Sequence, residues 1–276
     1  MLNRLSFGCL LAGAILLLKA GNLQAHEFWL EPRDFTPESG EPLLADIKVG
    51  QKLIGNKHLF LPKKFIRFDI HEGDKQRSVD SRTGDIPAVN EDNLEDGLAI
   101  LAYESTIRSL RYHDLKKFHG FLEYEGISWV KARHAERNLP ETGFTEIYRR
   151  YAKTLVKSGS GKGADKPVGL PLELVMLNNP YTDSAQPLSV QLHWQNEPFR
   201  NAQINAFFRP DSEPDAEAIL TPYHTDEEGK VTIPRPANSG VMLLNAVHMV
   251  EPDAATMLDT GAVWESLWAS VTFAIE

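Results

Sequence analysis

Along most of the chain, apolar and polar residues alternate in short runs broken by turn residues, the pattern of strands that bury one face. Glu27–Leu30 reads as a short strand stopped by Pro32. Residues 43–50 alternate towards their end and close on Gly50. In residues 65–70, Phe65, Arg67 and Asp69 share one face while Ile66, Phe68 and Ile70 share the other. Residues 97–103 are almost uniformly apolar, as a buried strand is. After position 171 the pattern sharpens. Residues 172–176, 187–194, 202–207, 231–233, 241–250 and 269–275 all predict strands, with turns at Asn196-Glu197-Pro198 and Thr225–Lys230.

The middle of the chain changes period. Asp114 is placed to cap a short helix whose Leu115, Phe118 and Leu122 fall on one side, and Gly126 ends it. Phe144, Ile147, Tyr148, Tyr151 and Leu155 then recur at helical spacing, with Glu146 four residues before Arg150. That spacing predicts a second helix with a basic outer face. The tract Ser158–Gly163 lacks the glycine and the Ser/Thr that a phosphate-binding loop needs at the required spacing, so it is a linker or a loop tip.

These elements make the protein mainly β. Residues 172–276 are expected to form an immunoglobulin-like or transthyretin-like sandwich. Residues 26–171 are expected to form an N-terminal β domain with a helical insertion at about 114–157.

Residues 1–25 carry a different signal. Arg4 precedes an apolar core from Phe7 to Leu18, and Leu23-Gln24-Ala25 supplies a small residue at a cut site. The apolar run stops well short of the roughly 20 residues of a spanning helix. The expectation is a cleaved secretory signal and a periplasmic protein. Cys9, the single cysteine, lies inside this leader, so the mature chain has no thiolate for a metal. Arg4 and Lys19 leave with the leader, which takes the formal net charge from −9 to −11. An acidic balance of this size argues against nucleic acid as a partner.

Cleavage after Ala25 would make His26 the first residue, offering one ion both its α-amine and its ring nitrogen. Two ligands do not complete a square-planar set, so at least one more is required. His248 is the first candidate, because alternation puts it on the apolar face of its strand with Leu244 and Ala246, where a polar ring needs a partner. His113, at the start of the first helix, is held in reserve. His193 lies opposite the apolar face of its strand, and His58, His71, His134 and His224 sit in polar sequence and read as solvated. Without thiolates, the candidate ions are divalent nickel, cobalt, copper or zinc.

Catalytic motifs are few. The mature chain has no cysteine nucleophile, no Gly-x-Ser-x-Gly elbow and no His-Glu-x-x-His helix. One enzymatic class survives, a copper oxidase built on a histidine brace. Trp264 and Trp268 would then serve a carbohydrate surface; otherwise they close the core. A third reading is a ligand-binding or adhesion sandwich that takes no metal.

Several segments together carry a resemblance. These are Ala25–Pro32, Glu146–Leu155, Leu172-Glu173-Leu174, Asn179-Pro180-Tyr181, Asn196-Glu197-Pro198, Thr225–Gly229, Val247-His248-Met249 and Trp264–Ser270. With these the chain resembles the DUF4198 family, exported bacterial proteins related to periplasmic components of nickel and cobalt uptake systems. The resemblance covers nearly all of the mature chain. It implies a periplasmic β-sandwich that handles metal and no defined reaction, with a membrane metal transporter as its expected partner.

Overall fold

A computed structural model describes residues 27–276. The leader, the cut at Ala25 and His26 lie outside the described residues. The chain folds as three layers, and the middle layer decides the rest. It is a nine-stranded sheet built from both halves of the sequence. Its strands are β4 (Phe65–Glu72), β5 (Lys75–Ser78), β7 (Gly97–Ser105), β8 (Arg108–Tyr112), β9 (Phe144–Ser158), β13 (Gln203–Pro210), β14 (Ile219–His224), β16 (Gly240–Val250) and β17 (Ala262–Ile275). The order is β14-β13-β16-β17-β9-β7-β4-β5, with β8 also on β9. Among the described residues all pairings are antiparallel except one: β17 runs parallel to β9, joining Ala262 to Thr145 at one end and Thr272 to Thr154 at the other. The parts expected at 26–171 and 172–276 therefore share one sheet.

On one face lies a small sheet of β1 (Glu27–Pro32), β2 (Leu43–Gln51), β3 (Ile54–His58) and β6 (Val89–Glu91). Phe28, Leu30, Ile47, Leu101, Tyr103 and Ala152 form its apolar contact with the large sheet. Ser270 and Thr272 of β17 donate their hydroxyls to the carbonyls of Phe28 and Leu30, at 2.8 and 2.5 Å, and tie β1 to that face. Beside it sit α1 (Leu115–Tyr124) and α2 (Trp129–Glu136), packed on Val247, Met249, Trp264 and Trp268. On the opposite face lies a sheet of β10 (Leu172–Met176), β11 (Leu188–Trp194), β12 (Glu197–Pro198) and β15 (Lys230–Ile233), sealed by Leu174, Leu192, Leu244, Ala246 and Val271. Residues after 171 thus supply both layers of a β-sandwich. A short α3 (Ala254–Thr260), capped by the Asp253 carboxylate, leads into β17.

The strands and the α1 cap stand where the sequence places them; Asp114 accepts from the Lys116 amide at 2.8 Å. The helix expected over residues 144–155 does not form. Residues 144–158 are β9, the 15-residue strand at the centre of the molecule. A strand covered on both faces buries residues of both parities, which erases the period of two and leaves helix-like spacings by chance. Its aromatic and β-branched residues, Phe144, Thr145, Ile147, Tyr148, Tyr151, Thr154 and Val156, favour extended backbone. The helical insertion thus ends at Glu136, and the expected basic face is split between two layers. Ser158–Gly163 is a pinned turn: the Asn179 amide donates to the carbonyls of Gly161 and Gly163, and Asp96 accepts from Ser160.

Candidate functional site at the start of the first strand

β1 opens on a charge. Glu27 is fully buried, its Oε1 accepting from the Tyr124 hydroxyl at 3.1 Å and its Oε2 from the Lys52 amide at 3.1 Å. Burial, only partly offset by these bonds, pushes its carboxyl up to about 7. Next to Tyr124 the chain leaves α1 at Glu125 and turns at Gly126, whose φ of +71° suits glycine and whose missing Cβ makes room for Gln203. That turn holds the Glu125 carboxylate, 2% exposed, over the middle of the large sheet. Its Oε2 accepts from the side-chain amides of Asn205 and Asn245, at 3.0 and 3.3 Å. These two asparagines face each other across β13 and β16. The other oxygen, Oε1, is buried and has no hydrogen-bond partner among the described residues. Burial first, and the negative field of Glu27 second, raise the Glu125 carboxyl well above its ordinary value.

Two buried acids thus stand within each other's field, one with an unsatisfied oxygen, at the point where His26 joins the chain. A buried carboxylate oxygen without a partner calls for a ligand or a proton, and Asp46 and Glu146 each carry one as well. A cation placed here would meet carboxylate oxygens already held by asparagine amides, a tyrosine and a backbone amide. The sequence offers no periodic signal for this pair: Glu27 reads as a strand residue and Glu125 as the polar end of a helix.

His248, the expected partner of His26, faces away from β1. His248 lies on the face of β16 that carries Leu244 and Ala246, whereas β1, Asn245 and Ser270 occupy the opposite face. The large sheet separates His248 from Glu27. The His248 ring sits edge-on between Trp194 and Phe199, with centroids 4.5 Å away from each, and its Nε2 is buried without a hydrogen-bond partner among the described residues. That dry setting lowers its imidazole to about 4. His113 is exposed and precedes the Asp114 cap of α1.

Two histidines expected in solvent are buried. His134 accepts from the Trp264 indole at its Nδ1, 3.0 Å, so its proton sits on Nε2, which donates to the Pro140 carbonyl at 3.0 Å. His71 is buried at the β4–β7 pairing. Trp264 and Trp268 close the core and present no carbohydrate surface. Among the described residues, no group of three or more His, Cys, Asp or Glu side chains is placed to hold a metal ion.

No curated protein matches the chain. The family model described as Domain of unknown function (DUF4198) matches residues 23–250, which takes in the opening Ala25–Pro32 motif, the acid pair and the His248 strand. With that match over most of its length, the chain belongs to the DUF4198 family.

Proposed function

We propose that this is an exported, periplasmic protein that binds a divalent transition metal at its processed N-terminus, as a carrier or accessory in nickel, cobalt or copper uptake. The observation that carries the reading is the buried, unpartnered Oε1 of Glu125 beside buried Glu27, one residue from His26. An α-amine, an imidazole nitrogen and carboxylate oxygens suit nickel, cobalt, copper or zinc and exclude soft copper(I) chemistry. A divalent cation would also relieve the repulsion between two acids that share a low-dielectric site. Glu27 and Glu125 then fill the place first assigned to His248, and the metal is cargo rather than a reactant.

The test uses secreted protein whose first residue is verified by mass spectrometry, titrated calorimetrically with Cu(II), Ni(II), Co(II) and Zn(II). His26→Ala, or one residue added before His26, is expected to weaken binding about 100-fold, and Glu125→Gln about ten-fold, the scale reported for supporting groups in metal sites. His248→Ala and His113→Ala should leave affinity unchanged. Undiminished binding by His26→Ala defeats the reading.

A further inference from the structure

A second feature owes nothing to the acid pair. Between the small sheet and the large one, on the far side of Phe28, opens a pocket of about 290 Å³. Its walls come from β1, β2, β7, β8, β9 and the stretch from His58 at the end of β3 to Phe65 at the start of β4. Three cations reach it: Lys64, Arg108 and Arg150. Among the described residues that line it, none is aspartate or glutamate. In an acidic protein with 38 carboxylates against 29 basic residues, a cavity lined by three cations and no acid runs against the composition.

The apolar side of the pocket is equally defined. The Phe28, Phe65 and Tyr103 rings pack together, with centroids 4.9 Å apart for Phe28–Tyr103 and 5.7 Å for Phe65–Tyr103. The Arg150 guanidinium stands over two aromatic rings, 5.3 Å from the Phe28 centroid and 5.1 Å from that of Tyr148. Arg108, exposed and lining the pocket, is the register partner of Tyr148 across β8 and β9. Lys64 is anchored through its own carbonyl, which accepts from the Tyr103 hydroxyl at 3.2 Å. The positive field is felt at the rim, where His58 is held below its ordinary value by burial and then by Lys64 and Arg150.

We infer that this pocket binds a small organic anion, a carboxylate or phosphate head seated among Lys64, Arg108 and Arg150 with a flat apolar body against Phe28, Tyr103 and Tyr148. Convergent cations over aromatic walls supply both halves of such recognition: charge-assisted hydrogen bonds for the head and buried area for the body. The volume suits a single-ring ligand and is too small for a nucleotide or an acyl chain of membrane length.

Calorimetric titration with phenyl phosphate, inorganic phosphate and benzyl alcohol separates the contributions. Phenyl phosphate is expected to bind at least ten-fold more tightly than either fragment. Arg108→Ala and Lys64→Ala, both changes of partly or fully exposed side chains, should each weaken it about ten-fold, equivalent to roughly 1.4 kcal/mol. Lys75→Ala, at an exposed lysine paired with Glu95 on β5, serves as the control and should change nothing. Circular dichroism and thermal melts verify that each variant is folded. Equal binding of phenyl phosphate and benzyl alcohol, equal binding by wild type and Arg108→Ala, or no binding of phenyl phosphate at millimolar concentration would each overturn the assignment. No residue of this set belongs to the acid pair, so separate variants test metal binding and anion binding.

Discussion

Single residues in this protein are governed by burial more than by sequence neighbourhood. Glu146 shows it well. It sits in β9, is almost wholly buried, and accepts from the Ser266 hydroxyl. Burial raises its carboxyl to about 7 despite that bond. The folded state therefore holds a proton that the unfolded chain releases near pH 4.5. Stability falls as pH rises from about 4.5 to about 7 and is level above that. The size is on the order of 3 kcal/mol, from about 1.4 kcal/mol per pKa unit. Glu146→Gln, which keeps an acceptor for Ser266, should remove this fall. Urea denaturation of both proteins at pH 5 and pH 8 measures it: the variant should gain on wild type at pH 8. Equal differences at the two pH values would show that Glu146 titrates normally. Histidines follow the same rule. Alternation correctly put His248 on an apolar face, yet no local pattern reveals that His71 and His134 are buried, because their cover comes from residues remote in sequence. His134, for example, meets Trp264 across 130 positions.

At the scale of elements, sequence and structure agree where a strand has one wet face and part company where it has none. β11 alternates Leu188, Val190 and Leu192 inward with polar residues outward, and was legible at once. β9 has layers on both sides and was not. Its charged residues show what the double cover demands. Lys153 is fully buried between the large sheet and the facing sheet, its Nζ 2.6 Å from Asp165 Oδ1 and 3.1 Å from Glu173 Oε1. Both acids also organise backbone. Glu173 accepts from the amides of Val168, Gly169 and Leu170, and Asp165 from that of Met176. The triad thus fastens the crossing from β9 to β10. Replacing the whole triad with apolar residues could be neutral, but removing one partner strands the others. Lys153→Met is expected to destabilise the fold by about 3–5 kcal/mol, read from the shift of the denaturation midpoint at constant slope. A loss under 1 kcal/mol would mean that the acids take up protons and need no lysine. Edge strands β3, β5, β6, β8 and β14 were missed for another reason. They are short, and all but β14 are mostly polar, so they register through pairing with longer neighbours and carry little pattern of their own.

The whole molecule turns on the parallel pairing of β17 with β9, and parallel pairing is the part of a fold least visible in sequence. Antiparallel neighbours are commonly joined by short turns that a reader can find; these two strands are separated by more than 100 residues and every element of the facing sheet. The β-sandwich was recognisable from the strands after position 171, but nothing in them announces that its larger sheet continues through β9, β7 and β4. The continuity has a mechanical consequence. Cutting at 171/172 would bare the β9-facing edge of β17 along the ten paired positions from Ala262 to Thr272. It would also remove β1 and the helices from Leu243, Trp264 and Trp268, exposing apolar surface and an unpaired strand edge together. Residues 172–276 expressed alone are therefore expected to aggregate or to lack dispersed amide resonances, whereas co-expression with residues 26–171 should restore a soluble, folded complex. The intact chain should unfold in one transition, with tryptophan fluorescence and far-UV circular dichroism coinciding, since Trp29, Trp194, Trp264 and Trp268 report from all three layers. A well-dispersed spectrum from the isolated fragment, or two separated transitions in the whole protein, would show that the shared sheet is a contact between two self-sufficient units. The first outcome carries over to function: the acid pair is made by β1 and α1 on one side and by β13 and β16 on the other, so Glu125 keeps its asparagine partners only while the sheet is whole.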